Sequence, residues 1–200
     1  TVDIFIAKYN SQMQQQWVKT IKGPSFTYGA KIDVYNDTLI VIGRFVDTAY
    51  FTPTNYLESK GILDVFVSKY NTDGNFVNSE LLYWGTDYHY TQDIKVLNDK
   101  EYFVTGHFLD DSVNIHNDTI LTGRGGQYNA FYAKFRLSDH SLEWAKYNDM
   151  NNSVRYTNIA QFNDNLFLNG YFTDSLYFDT KPIKSKNNSR DLFLYSFDQS

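Results

Sequence analysis

Four histidines, 23 carboxylates and no cysteine are the raw material for any reaction this chain could run. A zinc site needs ligands at short, fixed spacings. His89, His107, His116 and His140 show no such spacing, and no thiolate can replace them. Asp110-Asp111 and Asn71-Thr-Asp-Gly-Asn75 resemble calcium loops. The second lacks the further acidic ligands and the closing Glu, so a hairpin turn explains it better. Gly123-Arg-Gly-Gly126 follows no strand-to-helix pattern, which argues against a phosphate cradle. There is no Gly-x-Ser-x-Gly elbow. Two carboxylates for glycosidic cleavage could meet in space, but no pair stands out. The sequence therefore names no catalytic residue, no cofactor and no metal site.

Binding chemistry is better represented. The run Tyr83-Trp84-Gly85-Thr86-Asp87-Tyr88-His89-Tyr90 concentrates rings in one stretch. Such rings stack on sugar faces or peptide side chains by dispersion, with a polar atom at the tip. Tyr83, Trp84, Tyr88 and His89 are accordingly candidate ligand-binding residues. Tyr50, Phe51 and Tyr56 form a second, weaker cluster, from which Tyr50 and Tyr56 are candidates. Phe26 and Tyr28 hold a related place in an earlier segment, and Tyr156 lies one position off in a later one. Tyr28 and Tyr90 also read as repeating residues that pack between sheets.

Charge and composition remove several classes of partner. The net charge of −5 lacks the basic stripe that nucleic acid requires. The 18 Lys and Arg are scattered, which disfavours an anionic membrane surface. No apolar run approaches the roughly 20 residues that span a bilayer, so no membrane insertion by this segment is expected. No signal peptide is visible. The chain opens inside a strand, so residue 1 reads as a processing site or an internal boundary. The absence of Cys leaves the compartment open. The wealth of Asn, Asp, Ser, Thr and Tyr suits an exposed, secreted surface.

The elements that would position these residues recur. Asp3-Ile-Phe-Ile-Ala-Lys-Tyr9 returns as Asp64-Val-Phe-Val-Ser-Lys-Tyr70, Asn129-Ala-Phe-Tyr-Ala-Lys-Phe135 and, in part, Asp191-Leu-Phe-Leu-Tyr-Ser-Phe197. The starts, at residues 3, 64, 129 and 191, lie 61, 65 and 62 residues apart, the mark of one stacked supersecondary unit along a single region 1–200. Two further landmarks keep phase. Asn36-Asp37, Asn98-Asp99 and Asn163-Asp164 sit between apolar runs, as tight hairpin turns require. Gly43-Arg-Phe45, Gly106-His-Phe108 and Gly170-Tyr-Phe172 close the next strand, where a fixed Gly marks a bulge or a close backbone approach.

Each full unit reads as four antiparallel strands; in the middle unit these are 93–97, 102–108, 131–135 and 142–147. The third strand is apolar on both faces. Phe5, Phe66, Phe131 and Phe193 point one way; Ile4 and Ile6, Val65 and Val67, and Leu192 and Leu194 point the other. Burial on both faces places every sheet between two neighbours. Four-stranded sheets stacked around an axis make a β-propeller, with a β-sandwich or open stack as the alternative. Residues 3–20 supply two strands, 30–83 and 93–148 two complete sheets, and 158–197 three strands. The expected fold is thus an all-β partial propeller of two full and two partial blades. It calls for remaining blades or a partner chain over its end sheets.

At these residues the chain resembles the SBBP-type repeats, a family of bacterial β-propeller repeats. Asp64-Val-Phe-Val-Ser-Lys-Tyr70 and Phe103-Val-Thr-Gly-His-Phe108 match the family pattern closely, and Trp17 and Trp144 occupy its Trp position. The segment 76–82 has no Trp there, and the loops are longer than the family spacer. The resemblance covers the whole chain and implies an exported or cell-surface protein of Bacteroidota-like bacteria. Asp followed by Ser or Thr and an aliphatic residue occurs five times, which resembles the O-glycosylation signal of such proteins. Thr48, Ser112 and Thr119 are the candidate acceptors. Three of the five fall at one repeat position, where Asp-Ser/Thr would end a strand and cap a turn.

Topology sends residues 46–63, 109–128 and 173–190, and the links 21–29, 83–92 and 148–157, to one end, leaving tight turns at the other. Function usually sits on loops held by a rigid scaffold. The expected role is a non-catalytic extracellular or outer-membrane-surface module that binds a polysaccharide or protein partner through that end. A propeller hydrolase or lyase acting on a polysaccharide and a structural spacer or adhesin stalk are the rival readings.

Overall fold

The computed structural model describes residues 2–116, 119–123, 128–147, 154–178 and 182–198. These residues are all-β, without an α-helix and with a single 3-10 turn at Lys186–Asn188. Accordingly, no helix among them is long and apolar enough to cross a membrane. The strands, in chain order, are β1 (Ile4–Tyr9), β2 (Gln15–Ile21), β3 (Thr27–Tyr35), β4 (Thr38–Phe45), β5 (Thr48–Tyr50), β6 (Tyr56–Glu58), β7 (Asp64–Asn71), β8 (Phe76–Trp84), β9 (His89–Val96) and β10 (Glu101–Phe108). They continue with β11 (Ser112–Ile115), β12 (Thr119–Thr122), β13 (Asn129–Arg136), β14 (Leu142–Tyr147), β15 (Val154–Phe162), β16 (Asn165–Thr173), β17 (Ser175–Tyr177), β18 (Pro182–Lys184) and β19 (Arg190–Asp198).

Two antiparallel sheets form the centre: four strands in the order β9-β10-β13-β14, and six in the order β3-β4-β7-β8-β11-β12, in which β11-β12 extends the expected four. The pair β1-β2 lies before them and the three strands β15-β16-β19 after them. The third strands explain the stacking. Val65 and Val67 of β7 join Phe131 of the following sheet in one core, and Ile4 and Ile6 of β1 join Phe66 in another. Ala130 and Tyr132 of β13 join Phe193 in a third. Each joint therefore sets the face of one third strand that lies opposite its own Phe against the Phe face of the next. The outermost faces have no such neighbour: Phe5 is 72% exposed, Leu192 85% and Leu194 72%, whereas Val65, Phe66, Val67 and Phe131 are all at 0%.

The fixed glycines serve this packing. Gly43, Gly106 and Gly170 pair with Phe66, Phe131 and Phe193. A Cβ on Gly106 would lie 2.6 Å from the Tyr83 hydroxyl and 2.9 Å from the Phe131 ring. Opposite each glycine the first strand of the sheet carries one extra residue, at Ala30, Gln92 and Thr157. Both readings of the glycine, bulge and close approach, hold together.

Two of the Asn-Asp turns are tight: Asn36 and Asn163 take left-handed φ values of 50° and 52°. The third departs from expectation. One more residue separates Asp99 from Gly106 than separates Asp37 from Gly43. The link opens to residues 97–100, where Asn98 Oδ1 accepts the N–H groups of Lys100 and Glu101 instead. The Asp-Gly turn is as expected, with Gly74 at φ 80° and Asn71 Oδ1 accepting from Asp73 and Asn75.

The segments expected as long loops hold small hairpins, β5-β6, β11-β12 and β17-β18. Their starts are the Asp-Ser/Thr pairs. Asp47 and Asp174 adopt φ 71° and 64°. Thr48 Oγ1 donates to Asp47 Oδ1 at 2.9 Å, and Ser175 Oγ to Asp174 Oδ1 at 3.1 Å. Each hairpin closes on an N–H that donates to the Asp carbonyl at 2.7 Å, from Ser59 to Asp47, Gly123 to Asp111 and Ser185 to Asp174. Two of the hairpins reach back to the preceding sheet: β11 pairs with the end of β8, and Tyr50 exchanges two backbone hydrogen bonds with Lys22. In these two units an arm thus latches the outer edge of the unit before it.

First strands of successive sheets are tied by charge. Lys95 Nζ lies 2.9 Å from Asp33 Oδ2, and Lys31 Nζ 3.8 Å from Asp93 Oδ1, a reciprocal exchange across β3 and β9. Asp33 also accepts the Val96 N–H at 2.7 Å, and Asp93 the Ile159 N–H at 2.8 Å. These carboxylates satisfy strand-edge donors that have no ladder partner on that side.

Candidate ligand-binding site

Antiparallel pairing brings the start of a first strand and the end of a second strand to the same pole. Thr27 sits across from Phe45, and His89 across from Phe108. Leu63 bridges to Tyr88 there, as Val2 does to Phe26. Residues 46–63 and the link between β8 and β9 therefore leave from one end, as the sequence led us to expect.

At that end three register pairs face one another: Tyr28 with Arg44, Tyr90 with His107, and Arg155 with Tyr171. Together they build a continuous ladder of rings and guanidinium groups. Arg44 lies 5.4 Å from the Tyr28 ring and 4.7 Å from the Tyr90 ring. Tyr90 stacks on His107 at 4.8 Å, and His107 meets Tyr128 edge-on at 5.0 Å. Arg155 covers Tyr128 at 3.5 Å, and Arg190 lies 4.6 Å from Tyr171. Tyr88 extends the array by stacking on Tyr90 at 6.5 Å, and Phe26 by stacking on Tyr28 at 5.9 Å. Cation–ring contacts of this kind hold guanidinium planes in place while their edges stay free to donate.

The ladder borders an open cleft of about 370 Å³ between the first strands of three sheets. Lys31, Arg44 and Arg155 line it with Tyr90, Gln92 and His107, and no carboxylate belongs to its wall. The Gln92 amide lies 3.3 Å from His107 Nδ1. Gln92 is the bulged residue of β9, and bulges re-aim side chains. Among the described residues, neither Arg44 nor Arg155 has a carboxylate within 4.0 Å.

His107 carries the electrostatic signature of this place. Burial, then the positive charges of Arg155 and Arg44, push its pKa down to about 3. A second ring, His140, is pushed down to about 4, first by burial and then by Lys69. Its nitrogens are held by Tyr102 Oη at 3.1 Å and Asn78 Oδ1 at 3.0 Å. An unfolded imidazole titrates near 6.5. Between that value and the folded values, the unfolded chain binds protons that the folded chain refuses. The stabilising contribution is therefore complete above about pH 6.5 and is lost as pH falls towards 4 and then 3. We expect each ring to cost about 2 kcal/mol of stability at about pH 4.5 relative to about pH 7.5. Urea denaturation of wild type and His107→Gln at both pH values checks this. An unchanged pH difference in the variant would count against the assignment.

The candidates drawn from the sequence divide by burial. Tyr88, Tyr50 and Tyr56 are exposed, the last two packed on each other at 5.5 Å. Tyr83 is fully buried, its hydroxyl 3.1 Å from Thr91 Oγ1. Trp84 is buried with the Lys60 ammonium 3.8 Å from its ring. His89 is fully buried between sheets: Nδ1 lies 2.9 Å from the Leu63 carbonyl, and Nε2 3.2 Å from Asp110 Oδ2. Asp64 lies on its other side, 3.5 Å from Nδ1. The same Asp64 accepts the N–H groups of Lys60 and Gly61, which fixes the loop before β7 and gives the recurring Asp its task. Thr48 is buried, while Ser112 and Thr119 are half-buried.

Arg44, His107 and Tyr171 were missed as site residues because they look like free variation at the middle of Gly-x-Phe. The available signal was the exchange of types across the ladder, Tyr28 with Arg44 in one sheet and Arg155 with Tyr171 in another. Among the described residues, no group of three or more His, Cys, Asp or Glu is placed to hold a metal ion. No protein-family model matches the chain, and no curated protein matches it.

Proposed function

We propose that this chain is a non-catalytic binding module of a bacterial surface or secreted protein, with its stacked sheets acting as blades of a β-propeller. Its ligand, a glycan or a protein partner, docks on the long-loop end. The observation that carries this reading is the run of half-exposed rings and guanidinium groups at that end, set on strands rather than on mobile loops. Rigid placement lowers the ordering cost of binding. The extracellular or outer-membrane location follows the composition and the repeat resemblance.

The test is titration of the protein with envelope polysaccharides and envelope proteins, alongside Tyr88→Ala and Trp84→Ala. Loss of the exposed Tyr88 ring is expected to weaken binding by about tenfold, in line with one stacking contact. The reading fails if every interaction found is indifferent to both changes.

The uncovered aliphatic and Phe faces are proposed to receive further sheets of this same kind, either from remaining blades or from a partner chain. The support is that every internal joint is made from those two faces.

A further inference from the structure

We propose that the cleft between the first strands of three sheets binds a carboxylate-bearing pyranose, the uronate unit of an acidic polysaccharide. This rests on the reading of the long-loop end as the binding face and names its ligand chemistry. In a chain of net charge −5, this cleft is lined by Lys31, Arg44 and Arg155 and by no acid. The first-strand carboxylates are already engaged: Asp93 by Lys31 at 3.8 Å and by the Ile159 N–H at 2.8 Å, Asp33 by Lys95 and the Val96 N–H.

The two guanidinium groups lie against rings, Arg44 on Tyr90 and Arg155 on Tyr128. That arrangement spends their faces and leaves their N–H edges, the fork that matches a carboxylate in two parallel hydrogen bonds. His107 lies between them in the ladder, and its ring stays neutral because burial, and then both cations, disfavour a proton there. The field in the cleft is thus positive at the depth where an anion would sit. Tyr28 and Tyr88 supply exposed flat rings beside it, suited to the apolar face of a pyranose. The cleft's roughly 370 Å³ lies within the usual range for small-ligand sites, about 300–1,000 Å³. The Gln92 amide adds an uncharged polar group that suits hydroxyls.

Calorimetric titration with trigalacturonate, its neutral methyl ester and triglutamate tests the idea at low and high salt. Trigalacturonate is expected to bind, with at least tenfold weaker binding of the ester and a marked loss at high salt. Arg44→Gln and Arg155→Gln should each weaken trigalacturonate at least tenfold and the ester several-fold less than that. Lys31→Gln provides the same readout should either arginine variant fold poorly. Equal binding of acid and ester, with both lost in Tyr88→Ala, would keep the binding face and overturn the uronate assignment. Tighter binding of triglutamate would reassign the cleft to an acidic peptide. If none of the three binds, the uronate assignment falls, while the binding face still stands or falls by the envelope-protein titration.

Discussion

Phe131→Ala should destabilise the protein by about 3–5 kcal/mol, while Phe5→Ala at the corresponding place should change stability by less than about 0.5 kcal/mol. The two rings occupy the same position in the recurring segment. Phe131 is fully buried between two sheets, in edge contact with Tyr83 at 5.0 Å and tilted against Phe108 at 6.4 Å. Removing it leaves a cavity beneath Gly106, which has no side chain to fill it. Phe5 is 72% exposed. Urea denaturation of both variants measures the contrast. Similar costs for the two would show that the buried joints do not carry the stability of the stack.

The second large effect concerns the uncovered faces. The isolated chain is expected to self-associate head to tail, with the Leu192 and Leu194 face of one copy meeting the Phe5 face of the next. Such a heterologous contact propagates unless it closes into a ring. Burying a leucine contributes on the order of 1.5–3 kcal/mol. The double variant Leu192→Lys, Leu194→Lys should therefore weaken association by well over tenfold. Sedimentation velocity over a concentration series reads this directly. A wild-type chain that stays monomeric throughout and sediments like the lysine variant would sink the proposal. The lysine variant should keep its stability, since both leucines are exposed at 85% and 72%.

Much of the architecture was legible because it rests on strong, periodic signals. The two-faced third strand, the fixed Gly and the Asp-Gly turn each follow from sterics that leave little choice. The inserted hairpins were not legible as strands, because pieces such as Thr48–Tyr50 and Ser175–Tyr177 are too short for alternation to register. Their one local clue was the recurrent Asp-Ser/Thr pair. The site was half legible. The ring-rich stretch around Trp84 was correctly placed at the long-loop end, yet strand alternation turns His89 inward and leaves Tyr88 and Tyr90 on the ladder. The guanidinium partners escaped notice because they come from a different strand, and only the register of that strand brings Arg44 beside Tyr28.

Since the joints reuse equivalent surfaces, a duplicated unit would arrive carrying both halves of a new junction. Lengthening or shortening such a gene by whole units requires no compensating substitution at the seams. The ladder would grow in step, adding one ring or cation pair per unit, so the reach of the proposed binding surface would scale with copy number.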